Sequence, residues 1–294
     1  MCLRWFRSDA LRHPEHSLKS AKDLIIIVRT LSNNMNLTLT KRQKIIVSTV
    51  LLTIGLLSTQ LVDFSLRFKF MAGLGVAAYF LSLWALWEGL NWTKSFILLI
   101  LPTFFTVAVA SFYFLLPVRW LTRLPVALLF GLTFYLLLLA QNVFNVAAIR
   151  TIPLYRAAST ASFLFTLLSA FFIYNVIYAF NLLFLWNFLI VSLISFPLIL
   201  QILWSIEMED RVKRSTLLQS FVLSLVLGEL AYAFSFWPTP TTIWSLSLSS
   251  SMYVLVGVTT QVLRGRVTKR VVWEYLGIGA VVLLVSFLTT SWTG

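Results

Sequence analysis

The sequence predicts an all-α protein, a polytopic bundle of about nine transmembrane helices, and its composition supports that prediction. Of the 294 residues, 59% are hydrophobic and only 11% are charged, whereas a soluble globular domain carries roughly 25% charged residues. The mean hydropathy is +0.90. A larger soluble core does not explain these values, because a single core stops growing at about 250–300 residues. Most of the surface is therefore expected to face lipid.

Nine apolar segments are long enough, at roughly 17–25 residues, to cross the hydrocarbon core of a bilayer. They lie at 45–62, 70–90, 96–116, 125–147, 159–180, 183–204, 216–236, 242–262 and 271–291. Short connections join them, so residues 35–294 are expected to form one integral-membrane helical domain. The serine-rich stretch WSLSLSSSMY is the weakest candidate, and if that segment is re-entrant the chain has eight crossings.

The distribution of basic residues predicts the orientation, because Lys and Arg are enriched on the cytoplasmic side of membrane proteins. Of the 23 Lys and Arg residues, only Arg67, Lys69, Arg119 and Arg123 lie in connections on one side. The other nineteen lie in the N-terminal tail and in the alternate connections. We therefore expect a protein of the cell membrane with a cytoplasmic N-terminus and an external C-terminus. The net charge of +13 reflects this topology, so nucleic acid is not an expected partner.

Residues 1–34 differ from the rest of the chain. In SLKSAKDLIIIVRTL, apolar residues share one helical face and Lys19, Lys22 and Arg29 lie elsewhere, which is typical of a basic helix on an anionic leaflet. The alternatives are a poorly ordered basic tail, or a stretch upstream of the actual start at Met35. Each alternative leaves all nine predicted segments within residues 35–294.

A family resemblance extends from Met35 nearly to the C-terminus. The stretches that carry it are MNLTLTKRQKIIVSTVLL, YFLSLWALWEGL, FYFLLPVRWLTRLPVALL, QNVFNVAAIRTIPLYRAA and LVLGELAYAFSFWP. Through them the chain resembles an uncharacterised family of multi-pass membrane proteins from uncultivated bacteria. The resemblance implies a multi-pass membrane fold but no activity, so no catalytic or binding residues follow from it. The residues before Met35 depart from the family pattern.

Glu229 is the most deeply placed acidic residue in the predicted spans. It follows Thr216 by 13 residues, which is about 20 Å along a helix and places it in the outer third of the membrane. A buried carboxylate costs a few kcal/mol unless it is paired or protonated. Glu229 is therefore a candidate proton or cation site or an anchor for a cationic substrate, and the alternative is a structural carboxylate. We expect it to pair with Arg119 or Arg123, or otherwise to be protonated and hydrogen-bonded to Tyr232.

The helix that contains Glu229 also carries a stripe of small residues. The stripe consists of Ser220, Ser224, Gly228, Ala231 and Ser235. Small residues let two membrane helices approach closely, so the stripe predicts a packing contact rather than chemistry. It also predicts that Glu229 lies beside a tight helix contact instead of facing lipid.

A second candidate site begins at the end of the fourth predicted span, in AQNVFNVAAIRTIPLYRAAST. Spacings of three and four residues place the amides of Gln141, Asn142 and Asn145 on one side of a helix end. Arg150 and Arg156 follow at the predicted cytoplasmic interface. Amide donors and guanidinium groups bind phosphates well, so these residues are a candidate site for an anionic lipid headgroup. The alternative is a polar helix end followed by ordinary cytoplasmic arginines.

The sequence argues against most catalytic and cofactor-dependent classes. The chain has one cysteine, Cys2, and two histidines, so no metal site or cofactor is expected. Neither a G-x-S-x-G elbow nor a P-loop occurs, and an enzyme is disfavoured. Three functions stay open. They are transport or lipid handling in the cell envelope, a non-catalytic scaffold or subunit of an envelope complex, and a membrane-embedded enzyme acting on an envelope lipid.

These functions predict different structures. A transporter predicts a polar cavity that reaches Glu229. A scaffold predicts a well-packed bundle with an apolar groove or patch open to lipid. An enzyme predicts at least two polar side chains that converge at one depth.

The orientation can be tested by labelling cysteines in intact cells. We expect a cysteine in place of Arg266 to be protected from a membrane-impermeant reagent, because the Arg264–Arg270 connection is predicted to be cytoplasmic. A cysteine in place of the C-terminal Gly294 should react. Labelling of position 266 from outside the cell would contradict the nine-span orientation.

Overall fold

The computed structural model describes residues 40–59, 66–88, 92–116, 120–147, 154–208 and 211–290. Contacts within the chain divide it into two units, Met1–Arg42 and Gln43–Gly294. The first unit is described only from Thr40 onward, so the predictions for residues 1–34 lie outside the described residues. The second unit contains the helical bundle.

Nine helices and no strand make up the described parts of the chain. They are α1 Lys41–Ser58, α2 Arg67–Leu86, α3 Trp92–Leu115, α4 Trp120–Ala147, α5 Tyr155–Ala179, α6 Phe184–Glu207, α7 Arg214–Phe234, α8 Thr241–Leu263 and α9 Lys269–Thr289. Each helix overlaps one predicted segment, so the predicted all-α bundle is confirmed. Eight helices, α2 to α9, are long and apolar enough to cross a membrane.

The serine-rich segment is one of these eight helices. α8 runs without interruption for 23 residues, and the hydroxyls of Ser245 and Ser247 donate to carbonyl oxygens one turn earlier in the same helix. Such bonds satisfy a hydroxyl without breaking the helix. The described helix that is not among these eight is α1, which carries Lys41, Arg42 and Lys44 in its first turns.

α5 lies at the centre of the bundle, where it packs against α3, α4, α6 and α8. The helices at the periphery have fewer neighbours. α7 packs on α6 and α8, and α9 packs mainly on α8. In the apolar stretch of α9 that is long enough to cross a membrane, only 6% of the residues are buried, compared with 67% in α3. α9 therefore presents most of its surface outward.

Consecutive helices alternate in direction, as contacts at both ends of the bundle show. Lys44 near the start of α1 pairs with Glu88 just after α2, with 3.0 Å between Nζ and Oε1. At the opposite end, the rings of Tyr178 and Trp244 stack with their centroids 4.6 Å apart. We call the end with Lys44 the basic end, because α5, α7 and α9 also begin there with basic residues in their first turns.

The small residues of α7 form its contact with α6, as the sequence predicts. Ser220, Ser224, Gly228 and Ala231 are buried, and this helix pair has the most extensive contact among the described helices. A β-carbon at Gly228 would overlap the Ser192 hydroxyl of α6. Glycine is therefore required for this close approach, which sets how α7 is rotated against the bundle.

The Gly228 contact gives a stability prediction. We expect Gly228→Ala to lower the free energy of unfolding by about 1–3 kcal/mol, because overpacking forces side chains and backbone to shift. The added methyl would also lie 2.9 Å from the Phe188 carbonyl oxygen, which is fixed in the backbone of α6. Unfolding in mixed micelles measures the change.

The matched control is Gly277→Ala in α9. A β-carbon at Gly277 meets no atom within 4 Å, so this variant should be as stable as the parent or slightly more stable. Equal effects at the two glycines would contradict the close approach of α7 to α6.

Candidate functional site

Buried amides connect α4 to α5 and α6 near the basic end. Gln141 is fully buried. Its Nε2 donates to the Ser162 hydroxyl of α5 at 3.3 Å, and its Oε1 accepts from Gln201 Nε2 of α6 at 3.2 Å. Gln201 Oε1 is buried and has no hydrogen-bond partner. This chain of side chains holds three helices in one register.

Asn145 lies one turn further along α4 and connects it to α2. Its Nδ2 donates to the carbonyl oxygens of Leu86 at 3.1 Å and Glu88 at 3.0 Å. These carbonyls lie at the end of α2, where a helix leaves its last acceptors without donors of its own. Asn145 therefore caps α2 with a side chain from another helix. Asn142 is only half-buried, and its buried Oδ1 has no hydrogen-bond partner.

The predicted headgroup site is thus divided in the structure. Gln141 and Asn145 share one side of α4, as their spacing predicts, but that side faces the interior. Arg156 is exposed at the start of α5, and Arg150 lies outside the described residues. The buried amides bond to protein groups rather than joining Arg156 at the surface.

Arg264, which the sequence reasoning did not assign to this site, lies beside Arg156. Its Nη2 donates to the Ser159 hydroxyl at 2.6 Å, and Ser159 is one turn after Arg156 on α5. The sequence carries little signal for this contact, because 105 residues separate the two partners. The basic end thus presents an exposed pair of arginines that differs from the predicted one.

A second group of polar side chains lies deeper in the bundle. The Tyr174 hydroxyl of α5 is 2.6 Å from the Ser195 hydroxyl of α6. The adjacent Asn175 donates from Nδ2 to the Ser245 hydroxyl of α8 at 3.2 Å. These uncharged pairs fasten α5 to two neighbours. Sequence reasoning missed them because the two members of each pair lie on different helices, 21 and 70 residues apart in the chain.

Glu229 faces away from the bundle. It is exposed because the preceding residue, Gly228, is turned toward α6 and successive residues of a helix point about 100° apart. The expectation that Glu229 lies beside a tight contact instead of facing outward is therefore not met. Among the described residues, Glu229 has no hydrogen-bond or ion-pair partner.

The structure does not bring Arg123 to Glu229. Arg123 is only 2% exposed, with Nη2 donating to the Leu116 carbonyl oxygen at 3.3 Å. Its guanidinium group lies 5.2 Å from the ring centroid of Tyr113, a cation–π arrangement. Arg119 lies outside the described residues, so that half of the pairing stays a prediction.

Tyr232 is also exposed, one turn beyond Glu229 on α7. Its ring makes edge contacts with Phe184 and Phe236, with centroids 5.2 Å apart in each case. No hydrogen bond joins it to Glu229 among the described residues. Tyr232 and Glu229 therefore share a face of α7 without bonding to each other.

Two open grooves lie among the described residues, and both have almost wholly apolar walls. One, of about 440 Å³, lies between α7, α8 and α9. It is lined by Leu230, Phe234, Ser251, Val254, Leu255, Leu276, Gly279, Ala280 and Leu283. The other, of about 390 Å³, lies between α2 and α3. Glu229 lines neither groove.

Within the described parts of the chain, no group of three or more His, Cys, Asp or Glu residues could hold a metal ion.

The capping role of Asn145 can be measured against its neighbour. We expect Asn145→Ala to lower the free energy of unfolding by about 1–3 kcal/mol, because two carbonyl oxygens lose their donor. Asn142→Ala is the matched control on the same helix turn, and it should cost less than about 0.5 kcal/mol, because the buried Oδ1 of Asn142 has no hydrogen bond to lose. Unfolding in micelles compares the two variants. An equal loss in both would contradict the capping contact.

Comparison with curated proteins and with solved structures gives no match. The family described as "Protein of unknown function (DUF5656)" matches residues 52–289. The match covers most of the chain, from within α1 to the end of α9. It also lies within the region from Met35 onward that carries the sequence resemblance. The chain therefore belongs to the DUF5656 family of proteins of unknown function.

Proposed function

We propose that the protein handles lipids in the cell (plasma) membrane, by holding an anionic lipid against its outward surface. The observation that carries this proposal is the groove between α7, α8 and α9. Its volume of about 440 Å³ falls within the roughly 300–1,000 Å³ of ligand-binding clefts. Its apolar walls suit a hydrocarbon chain and offer a polar solute almost no hydrogen-bonding groups.

Basic residues at the end of the groove's helices supply a place for the headgroup. Arg264 and Arg266 are exposed in the connection between α8 and α9, and Lys269 is exposed as the first residue of α9. Leu276 of the groove follows Lys269 by seven residues, which is about 10 Å along the helix. A lipid with its phosphate at this connection would therefore extend its chains along the membrane normal toward the groove. Basic clusters next to membrane helices attract anionic lipids.

Arg156 belongs to the same basic surface, next to Arg264 and Ser159. We thus propose that the exposed arginines bind the anionic headgroup, whereas Gln141 and Asn145 hold the neighbouring helices together in the interior. Arg264 donates from Nη2 to Ser159, but a guanidinium group has five N–H donors, so others can reach a phosphate. The buried amides already bond to Ser162 and Gln201, or to the end of α2.

Transport of a polar solute has less support from the described residues. The polar side chains inside the bundle bond to one another, as in Gln141–Gln201 and Tyr174–Ser195. An enzyme also has less support, because these two pairs contain no carboxylate, histidine or cysteine, and the Tyr174 hydroxyl is their one group that could transfer a proton. A non-catalytic subunit of an envelope complex is the second candidate. The outward-facing carboxylate of Glu229 favours it.

Filling the groove tests the proposal. We expect Ala280→Phe to reduce retention of phosphatidylglycerol several-fold, because Ala280 lines the groove and a phenyl ring would occupy it. Purified protein equilibrated with phosphatidylglycerol or phosphatidylcholine, followed by native mass spectrometry, counts the lipids that stay bound. The parent protein should retain phosphatidylglycerol in preference, because its headgroup is anionic.

The matched control is Ile278→Phe, two residues away on the same helix. Ile278 is 48% exposed and does not line the groove, so this variant should retain lipid like the parent. Equal retention by all three proteins, or equal retention of the two lipids by the parent, would contradict the proposal.

A further inference from the structure

A hydroxyl group with an available proton lies between α8 and α9 near the basic end. Tyr275 of α9 and Gln261 of α8 are both half-buried. Gln261 Nε2 donates to the Tyr275 hydroxyl at 3.3 Å, so the Tyr275 oxygen is the acceptor in this contact. A tyrosine hydroxyl can also donate, and among the described residues the Tyr275 hydroxyl donates to no protein group. One O–H donor is therefore available to a ligand.

Both residues lie on helix faces that form the groove between α7, α8 and α9. Gln261 follows Val254 by seven residues, which is about two turns, and Tyr275 precedes Gly279 by four residues, which is about one turn. Val254 and Gly279 line the groove. From both of them the direction is toward the basic end, because α8 ends there and α9 begins there. The hydroxyl thus lies between the apolar walls of the groove and the basic residues.

The depth and the position of the hydroxyl are set by the packing of α9 on α8. Tyr275 follows Lys269 by six residues, which is about 9 Å along the helix. Side chains of a helix lean toward its N-terminus, so the phenol ring leans toward the basic end. A β-carbon at Gly257 of α8 would overlap this ring, and glycine at that position leaves the ring its space. The hydroxyl is therefore held a short distance below the basic residues.

We propose that the Tyr275 hydroxyl donates to an ester carbonyl oxygen of the bound lipid, which makes that lipid an anionic diacyl glycerophospholipid. This inference rests on the proposed function and names the class of lipid. In such a lipid the ester carbonyls lie between the phosphate and the hydrocarbon chains. Tyr275 lies in the same order, between Lys269 and the groove residue Gly279.

The chemistry of the pair suits an ester carbonyl. A carbonyl oxygen only accepts hydrogen bonds, and the Tyr275 hydroxyl has a proton to donate. A hydroxyl at the edge of the hydrocarbon that finds no acceptor loses the bond it would make in water. An ether-linked lipid can carry the same headgroup and the same chains but has no carbonyl oxygen at this depth. The site therefore predicts a preference for ester-linked chains.

Two phosphatidylglycerols of equal chain length, one with ester-linked and one with ether-linked chains, test the inference. The full chain is equilibrated with both lipids together, and native mass spectrometry counts the molecules of each that stay bound. We expect the parent to retain the ester form about fivefold more than the ether form. This ratio corresponds to ~1 kcal/mol, the net value of one hydrogen bond. Tyr275→Phe should retain the two lipids equally, because it removes the hydroxyl and keeps the ring beside Gly257.

Tyr253→Phe is the matched control. Its ring lies next to that of Tyr275, with 4.9 Å between the centroids, but Tyr253 belongs to α8, whose N-terminus is at the opposite end. Its hydroxyl therefore leans away from the basic end, and this variant should keep the ester preference. The ratio of two lipids on one protein does not depend on how much of a variant is folded.

Each outcome separates this inference from the proposed function. A parent that prefers phosphatidylglycerol to phosphatidylcholine but retains the ester and ether forms equally would overturn the inference alone. An ester preference that survives in Tyr275→Phe, or that is lost equally in Tyr253→Phe, would also overturn it. A parent that retains no lipid would overturn both.

Discussion

The bundle depends on one constraint, which is that hydrocarbon offers no hydrogen-bond partner to a polar group. Many polar groups within the described helices therefore bond to each other or to nearby carbonyls. α5 shows the consequence, because its buried face carries Ser162, Tyr174 and Asn175. Each bonds to a different neighbouring helix, namely α4, α6 and α8. These bonds add to the apolar packing of α5 in the core.

The same constraint also applies to the polar side chains that face outward from the bundle. Glu229 is exposed because Gly228 and the other small residues commit the opposite side of α7 to α6. Tight packing on one face thus decides which residue appears on the other. At the basic end, Arg264 is held at the surface by Ser159. The outward features are therefore consequences of interior contacts.

Sequence patterns predicted the helices well and the sites less well. Each predicted segment overlaps a helix, and for the eight from α2 to α9 the reason is that long apolar runs have one solution in lipid, in which every backbone group bonds within its own segment. The i, i+4 spacing also placed Gln141 and Asn145 on one side of α4, since that spacing is local. It could not tell whether this side faces Gln201, 60 residues away, or a phosphate at the surface. For the same reason the sequence could not place Arg264 near Arg156, since 105 residues separate Arg264 from its partner Ser159 on α5.

The sequence by itself determined the fold class, the helix positions and the use of small residues in α7 for close packing. These properties depend on local composition and on helical periodicity. Only the tertiary structure decided the rotation of each helix, and with it whether a polar residue faces a neighbour or points outward. Rotation depends on which helices become neighbours, which is a property of the whole bundle. Glu229 points outward because of Ser192 and Phe188 on α6, and no pattern around residue 229 contains that information.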